Sequence, residues 1–416
     1  MSIHMDLRPR RVVIAGGGIG ALEAVLALRS LSDGQLAITV VAPNKHLTLP
    51  PLTVAEPFAA GHADIGRLAD ILREEGATLH QAAVVGVDPD RRVVACSDGD
   101  DEPYDALVVA TGARPRQAYD HTLTFGLGDP LAYNGLLADL EHGYTDSVAF
   151  VVPDGVSWSL PLYELALLTA RQVWGMGRDV ELTLVTPEPA PLAIFGTEAA
   201  AAVRELFDAA GIALVCGSPV ALGLGGHIHL LADDSEIVAD RVVSLPLLEG
   251  PRIPGLPADA AGFVPIDGYC RVPGLEDVYA IGDAADLLVK QGGLACQQAD
   301  VAAAHIAAAA GADVEPTPLR PVLRGRLLTG ATDQFLRRDL GAPHGSADPE
   351  PLWWPPAKVA GLHLGPWLAA RGLVPSAMQD SAPEAGVDVE VDLGPMARLA
   401  PDVLGLEPLG PMRSRH

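Results

Sequence analysis

A glycine-rich turn between an apolar segment and a helical pattern constrains this chain more than any other feature. Residues 11–15 are mostly β-branched or small, and a cluster of glycines separates them from an alanine- and leucine-rich stretch. Gly16 permits a tight turn, Gly18 lets the backbone approach a pyrophosphate, and the small Ala21 allows close packing of helix on strand. The helix N-terminus offers free N–H groups and the positive end of its dipole to phosphate. We therefore predict a dinucleotide-binding strand, turn and helix.

Two later segments also combine an apolar run with small residues at its end. Residues 278–281 lead into Gly282 and the carboxylate of Asp283, and residues 107–115 contain Thr111 and Gly112 after an apolar run. Each segment alone is typical of a buried strand that ends in a turn. In flavoproteins with two dinucleotide folds, a Gly-Asp pair closes over the ribityl chain of FAD, and this chain resembles them there. The segment 107–115 resembles the crossover between their FAD and nicotinamide domains.

Composition excludes several classes of protein. The net charge of -25 argues against nucleic acid and anionic lipid as partners. No stretch of about 18 uninterrupted apolar residues occurs, so we predict no transmembrane segment. The N-terminal arginines lead directly into the glycine turn without the apolar region of a secretion leader, so we expect a cytoplasmic protein. The four cysteines are dispersed without a C-x-x-C pair, which disfavours a zinc site and a local redox disulfide.

The order of apolar runs and helical patterns predicts an α/β fold with two Rossmann-like dinucleotide-binding domains and a C-terminal domain. We assign residues 1–113 and 246–318 to the FAD-binding domain, 114–245 to a second, degenerate dinucleotide-type domain and 319–416 to the C-terminal domain. Predicted helices span 63–75, 161–174, 197–210 and 294–310, and predicted strands include 37–41, 147–152, 180–185 and a meander of 83–88, 92–95 and 105–109. The proline-rich segment 43–52 and the last 40 residues are predicted to be loops.

Over about residues 10–315 the chain resembles the flavoproteins that include type II NADH dehydrogenases, sulfide:quinone oxidoreductases and flavocytochrome c sulfide dehydrogenases. Residues 155–164, GVSWSLPLYE, are similar to the sulfide:quinone motif Gly-Ala-Ser-Cys-Phe-Gly-Pro-Ala-Tyr-Glu. Residues 290–295 resemble the lysine-glycine segment that begins the helix over the flavin. The resemblance implies that Lys290 lies near the isoalloxazine and that the N–H groups of 293–295 face its C2 carbonyl. A positive charge and a helix dipole there would stabilise the anionic reduced flavin.

This resemblance supplies the candidate site residues. Glu164 and Lys290 are the candidate catalytic residues, and Glu164 is either an acid or base at the flavin or a carboxylate on the helix surface or in the first turn of the helix. FAD is expected to bind non-covalently, because no cysteine occurs in the segments where some relatives attach it. The candidate cofactor-binding residues are Gly16, Gly18, Ile19, Gly20, Ala21, Ala42, Pro43, Asn44, Pro50, Val84, Ala110, Thr111, Gly112, Gly282, Asp283, Lys290, Gly293 and Leu294.

The chain departs from the family pattern at both electron-donor motifs. Trp158 stands where the family has its first redox cysteine, and no cysteine follows Cys296. After the strand at 147–152 come Pro153 and Asp154 in place of glycines, so one N–H donor is lost and a negative charge lies at the phosphate position. Thr186 stands where an acid would bind the ribose. We therefore expect both sulfide and NAD(P)H to be poor electron donors.

Other positions are open to more than one interpretation. Ala42, Pro43 and Asn44 replace the acid that binds the adenosine ribose of FAD in many dinucleotide folds. Cys296 is either a buried apolar residue or a reactive thiol, and His46 belongs to a loop that either adjoins the flavin or is an ordinary proline loop. The three C-terminal tryptophans either pack the core or line an acceptor pocket or dimer interface; they are Trp353, Trp354 and Trp367.

The leading hypothesis is an FAD-dependent oxidoreductase of the sulfide:quinone type with an altered donor. A small molecule would reduce the flavin, and a quinone or oxygen would reoxidise it. One alternative is an NAD(P)H-dependent enzyme with a non-standard nicotinamide site. Another is a flavin-binding sensor or interaction protein without turnover. The sequence does not decide between a monomer and a homodimer.

Overall fold

The structure is a computed structural model that describes residues 8–32, 34–127 and 131–374. The segment 375–416, with the predicted C-terminal loops, lies outside the described residues. The strands are β1 Arg10–Ala15, β2 Leu36–Val41, β3 His46–Thr48, β4 Asp64–Arg67, β5 Thr78–His80, β6 Val84–Asp88, β7 Val93–Cys96, β8 Glu102–Pro103, β9 Ala106–Val109, β10 Arg114–Arg116, β11 Leu123–Thr124, β12 Ser147–Val151, β13 Glu181–Val185, β14 Ile212–Val215, β15 Val220–Leu222, β16 His227–Leu230, β17 Ser235–Val238, β18 Arg241–Ser244, β19 Leu247–Glu249, β20 Val278–Ala280, β21 Val322–Leu327, β22 Gln334–Asp339 and β23 Ser346–Asp348. The helices are α1 Ile19–Ser32, α2 Leu68–Glu74, α3 Ala132–His142, α4 Leu160–Gly175, α5 Thr197–Ala209, α6 Gly292–Ala309 and α7 Leu364–Ala370, and a 3-10 helix spans Pro50–Phe58.

The first sheet is parallel and has the strand order β20-β9-β1-β2-β5. Val12, Val13 and Ile14 of β1 are almost inaccessible to solvent, because α1 and α6 cover one face of the sheet and other segments cover the second. A continuous β-branched run is the sequence that a strand buried on both faces requires. The chain returns to this sheet through β20 after forming the second one. A discontinuous FAD-binding domain requires this return, and its boundaries stay a prediction.

The second sheet is also parallel, with the order β11-β18-β12-β13-β14. The helix α4 packs its apolar face on this sheet, and α3 and α5 belong to the same hydrophobic core. The antiparallel pair β10 and β19 connects the two sheets, because the chain leaves the first sheet along β10 and comes back along β19. Gly18, which follows β1, and Val156, which follows β12, line the same cavity, so the carboxyl ends of these strands face a common region, where open α/β folds bind ligands.

Three sequence predictions of local structure are wrong in part. The expected meander ends with β8, whereas Ala106–Val109 pairs in parallel with β1, because its fully apolar side chains need burial on both faces. The predicted helix 63–75 begins only at Leu68, since residues 64–67 form a strand that pairs with β3. The predicted loop 43–52 therefore contains a short strand and the first residues of the 3-10 helix.

The described part of the C-terminal segment packs on both preceding units. Leu323 and Leu327 of β21 join the core of the second sheet, whereas Leu364 and Trp367 of α7 join the core around α1 and α6. Trp353 packs edge-on against Phe335 with the ring centroids 5.0 Å apart. Among the described residues no helix is both long and apolar enough to cross a membrane.

Candidate active site

A cavity of about 400 Å³ lies between the two sheets and the C-terminal segment. It collects residues from the glycine turn, the 3-10 helix, α4, the start of α6 and the strand β21. Of the predicted site residues, the lining includes Gly18, Ile19, Gly20, Pro50, Ala110, Gly112, Glu164, Gly282, Asp283, Lys290 and Gly293. Of the others, Gly16, Ala21, Ala42, Pro43, Asn44, Val84, Thr111 and Leu294 lie outside this lining.

The glycine turn leaves room for a pyrophosphate at the start of α1. Gly16 has a φ of 126°, and a Cβ on it would lie 2.1 Å from the carbonyl oxygen of Ala110, so the turn requires glycine. A Cβ on Gly18 would meet no atom within 4 Å, and this open space adjoins the helix N-terminus. The buried hydroxyl of Thr111 has no hydrogen-bond partner. These features fit the phosphates and sugar of FAD.

The expected adenosine end of the site lies outside the cavity. Ala42 is fully buried at the end of β2, and Pro43 and Asn44 are exposed beside it. Val84 is half-buried on β6 in the neighbouring three-stranded sheet. His46 is exposed and its Nδ1 lies 2.8 Å from a carboxylate oxygen of Asp64, so it does not line the cavity.

Lys290 is held between aromatic and acidic groups at the cavity. Its Nζ lies 3.7 Å from the ring centroid of Phe263 and donates to the carbonyl of Ala285. Burial lowers the pKa of Lys290 to about 8, although Asp283 and the nearby Asp286 oppose this shift. Burial also raises the pKa of Asp283. Because its pKa lies near neutrality, Lys290 can gain or lose a proton in that range.

The start of α6 has a cap that the sequence analysis missed. The side-chain oxygen of Gln291 accepts the N–H of Leu294 at 2.9 Å, and its main-chain carbonyl accepts that of Ala295. Of the three N–H groups expected to face the flavin, only that of Gly293 is not engaged by Gln291. The Gln291 Nε2 donates to the carbonyl of Arg324, which connects α6 to β21.

Glu164 forms a buried ion pair that also involves a residue missed by the sequence analysis. Its side chain is 1% exposed and accepts a hydrogen bond from the Nζ of Lys358, whose side chain is 7% exposed. The N–H of Leu328 donates to the same carboxylate oxygen at 2.9 Å. Burial raises the pKa of Glu164 and lowers that of Lys358, while each partner opposes the shift of the other. Both residues line the cavity, so Glu164 is not on a helix surface.

One signal in the sequence could have found Lys358. Nearly all basic residues of this chain are arginine, and the only lysines are Lys45, Lys290 and Lys358. Two of these three line the cavity. A lysine can exchange its proton when burial lowers its pKa, whereas arginine stays charged, so the rarity of lysine in this chain could have drawn attention to Lys358.

No cysteine of the chain lines the cavity, and all four lie among the described residues. Trp158 does line it and packs against Phe195 with the ring centroids 5.7 Å apart. Cys296 is completely buried, and that burial raises the pKa of its thiol well above the usual range. Of the two interpretations of Cys296, the buried apolar residue fits the structure.

An acid close to Thr186, the expected ribose position of the second fold, is already engaged in hydrogen bonds. Glu188 follows Thr186 by two residues and accepts hydrogen bonds from the hydroxyls of Ser159, Tyr163 and Thr186 at 3.2, 2.7 and 3.0 Å. Burial raises the pKa of Glu188, and these hydroxyls oppose that shift. The carboxylate is therefore committed to internal hydrogen bonds, so a ribose would have to displace them.

Comparison with known proteins identifies the family. The model of the pyridine nucleotide-disulphide oxidoreductase family matches residues 10–129 and 164–311, more than half of the chain. The chain belongs to this family. Membership confirms the predicted α/β fold class, the assignment as an oxidoreductase and FAD as the cofactor.

Several relatives reduce quinones according to their names. The sulfide-quinone reductase of Aquifex aeolicus is 25% identical over 303 residues, which cover 66% of this chain and 68% of that protein. The potato internal alternative NAD(P)H-ubiquinone oxidoreductase A1 is 23% identical over 338 residues, 69% of this chain and 65% of that protein. The solved sulfide:quinone oxidoreductase of Aquifex aeolicus superposes with a TM-score of 0.74 at 19% identity, over 82% of this chain and 86% of that one. This likeness shows that the two share a fold.

Proposed function

We propose that this flavoprotein transfers electrons from a small-molecule donor other than sulfide or NAD(P)H to a quinone or oxygen. The observation that carries the proposal is the buried Glu164–Lys358 pair in a cavity whose redox cysteine position holds Trp158. The names of several relatives support a quinone acceptor. A cytoplasmic location is part of the proposal, and the four free cysteines are compatible with a reducing compartment.

Residues of the glycine turn and of the cavity would hold the cofactor. The N–H groups at the start of α1 and the space beside Gly18 would bind the pyrophosphate, and the Thr111 hydroxyl and Asp283 would bind polar atoms nearer the ribityl chain. FAD supplies the two-electron redox chemistry when it is bound. The protein binds it, orients the substrate and manages protons.

The Glu164–Lys358 pair is suited to hold the proton that accompanies electron transfer. A quinone takes up protons as well as electrons when it is reduced, and a donor releases them when it is oxidised. Burial disfavours the charged form of both partners and so favours transfer of a proton from Lys358 to Glu164, whereas their mutual attraction favours the ion pair. One proton can therefore move from Lys358 Nζ to Glu164 or onward to a substrate in the cavity.

The aromatic wall of the cavity supports an organic substrate. One wall of the cavity consists of the apolar side chains of Trp158, Phe125, Val156 and Leu248. None of these side chains carries a thiol that could bond to sulfur. A flat ring can stack on such a wall. Sulfide offers too little apolar surface to gain from it, and no thiol lines the cavity to receive its sulfur atom.

An anaerobic donor screen tests the proposal. Sulfide, NADH, NADPH, thiols and hydroquinones are each mixed with the FAD-loaded protein, and the loss of flavin absorbance is followed before a soluble quinone or oxygen is added. We expect an organic hydroquinone-type donor to reduce the flavin and Glu164→Gln to slow that step, whereas Glu181→Gln, an exposed change on β13, should leave it unchanged. Rapid, saturable reduction by sulfide or NADH would refute the proposed donor class. A reduced flavin that neither acceptor reoxidises would favour the sensor alternative.

A further inference from the structure

A group of side chains outside the cavity combines three kinds of metal-binding donor. A ring nitrogen of His80, the Sγ of Cys96 and a carboxylate oxygen of Asp98 all lie within 4.8 Å of one another. His80 ends β5, Cys96 ends β7, and Asp98 lies in the turn that follows. None of the three lines the cavity. Imidazole, thiolate and carboxylate together are a ligand set that suits zinc.

The three groups differ in their burial. Cys96 is 5% exposed and the His80 side chain 15%, whereas the Asp98 side chain is 43% exposed. Buried donors exclude water from one side of an ion, and an exposed carboxylate can move to adjust its distance. Three protein ligands with a fourth position open to solvent is a known coordination of zinc.

A fourth residue orients the imidazole ring. The Nδ1 of His80 lies 2.8 Å from Oε1 of Glu102, and its Nε2 lies 2.8 Å from Oδ2 of Asp98. In metal sites a histidine ligand commonly donates its second ring N–H to a carboxylate, which sets the tautomer and the ring plane. Glu102 is in the position to accept that bond, and Nε2 then faces the ion together with Asp98.

We propose that His80, Cys96 and Asp98 bind one zinc ion and that Glu102 is a positioning residue for the His80 ring. The ion replaces the direct His80–Asp98 contact, and a water completes its coordination. The carbonyl of His80 accepts the N–H of Ala42 at 3.1 Å. The zinc therefore connects β5 to the three-stranded sheet beside the end of β2, where the adenosine of FAD is expected. The proposal does not depend on the electron donor or acceptor.

Zinc binding must displace protons from two ligands. Burial, followed by the charges of Asp98, Glu102 and Asp101, raises the pKa of the Cys96 thiol to about 11. Hydrogen bonds to Asp98 and Glu102 raise the pKa of His80 despite its desolvation. Because the ion takes the place of the thiol proton and one imidazole proton, binding releases protons to the buffer and tightens as the pH rises.

The sequence predicted no zinc site because its four cysteines are not closely spaced. His80 and Cys96 belong to strands of two different sheets, and only folding brings them together. The exposed His227 and His229 on β16 offer a useful contrast, since both approach Glu236 but no thiol is nearby. Any zinc bound there would lack a thiolate ligand.

The test uses the full, FAD-loaded chain. Zinc is added in the presence of a chromophoric chelator, and the zinc that remains after dialysis is measured by elemental analysis, with one ion per chain expected. Cadmium should produce a thiolate-to-metal charge-transfer band in the ultraviolet. Glu102→Gln should weaken zinc binding about 10- to 100-fold, and Cys96→Ser and His80→Gln should weaken it more than that.

Two controls separate this site from adventitious binding. His227→Gln should keep the zinc, and Cys216→Ser should keep both the zinc and the cadmium band. Each variant is checked for FAD content and circular dichroism. If Cys96→Ser fails to fold, Asp98→Asn replaces it, because that side chain is largely in solvent. Zinc that stays bound in Cys96→Ser, that is lost in His227→Gln, or that never reaches one ion per chain would overturn the proposal.

Discussion

Removing Lys358 should destabilise the protein strongly at neutral pH, because the Glu164 carboxylate would stay buried without its cation. The two side chains are 7% and 1% exposed, and the N–H of Leu328 would be the remaining donor to the carboxylate. Loss of one partner from a buried ion pair typically costs about 3–5 kcal/mol. Lys358→Met keeps most of the apolar length of the side chain, so its cost in free energy of unfolding should reflect the missing charge.

The size of this loss should depend on pH. Burial raises the pKa of Glu164 in the folded protein, and removal of the lysine charge raises it further. The folded state then favours the protonated carboxyl. The cost is therefore absent below the unfolded pKa of about 4.3 and grows as the pH rises toward the folded pKa. Urea unfolding of wild type and Lys358→Met across this range should give two stability curves that separate as the pH increases.

A double-mutant cycle provides the control. Glu164→Gln alone leaves Lys358 as a buried cation, whereas the double variant Glu164→Gln/Lys358→Met removes both charges and should recover much of the lost stability. We expect a coupling energy between the two positions of about 0.5–3 kcal/mol. Two results would contradict the prediction. The losses in free energy of unfolding of the two single variants could add up to that of the double variant, or the difference in stability between wild type and Lys358→Met could stay constant with pH. Either result would show that the two charges do not stabilise each other.

Four further predictions concern the cofactor and the donor. Gly18→Val should abolish FAD retention, because its side chain would fill the open space at the start of α1; a normal flavin content in the purified variant would argue against that binding site. FAD should be released by acid precipitation, since no cysteine lines the cavity to form a thioether, and flavin that stays in the pellet would contradict this. NADH should reduce the flavin slowly and without saturation, because Pro153 and Asp154 replace phosphate donors and Glu188 is engaged by three hydroxyls; fast anaerobic reduction with a micromolar dissociation constant would refute it. Sulfide should reduce wild type and Cys296→Ala equally slowly, because the Cys296 thiol is fully buried, and fast reduction lost in the variant would mean that Cys296 is a redox thiol.

The elements that the sequence predicted well have a pattern visible within a few neighbouring residues. The helix expected at 197–210 spans Thr197–Ala209, and the one expected at 161–174 spans Leu160–Gly175. The periodicity of apolar side chains specifies such helices without reference to the rest of the chain. The pairing partner of a strand can lie far away in the sequence, and neighbouring residues do not identify it. For this reason Ala106–Val109 was expected in a meander with the preceding strands, whereas it pairs in parallel with β1.

The sequence by itself determined the dinucleotide-binding turn, because a side chain at Gly16 would collide with the backbone of Ala110 and one at Gly18 would fill the space left for the pyrophosphate. The sequence also showed that the redox cysteines of the sulfide:quinone motif are missing, because Trp158 stands at the first position and no cysteine follows Cys296. Only the tertiary structure decided which charged groups meet. Lys358 reaches Glu164 across 194 residues of sequence, and His80 approaches Cys96 from another sheet. These contacts follow from how apolar surfaces pack, and a polar side chain acquires its partner and its pKa only when that packing removes water from around it.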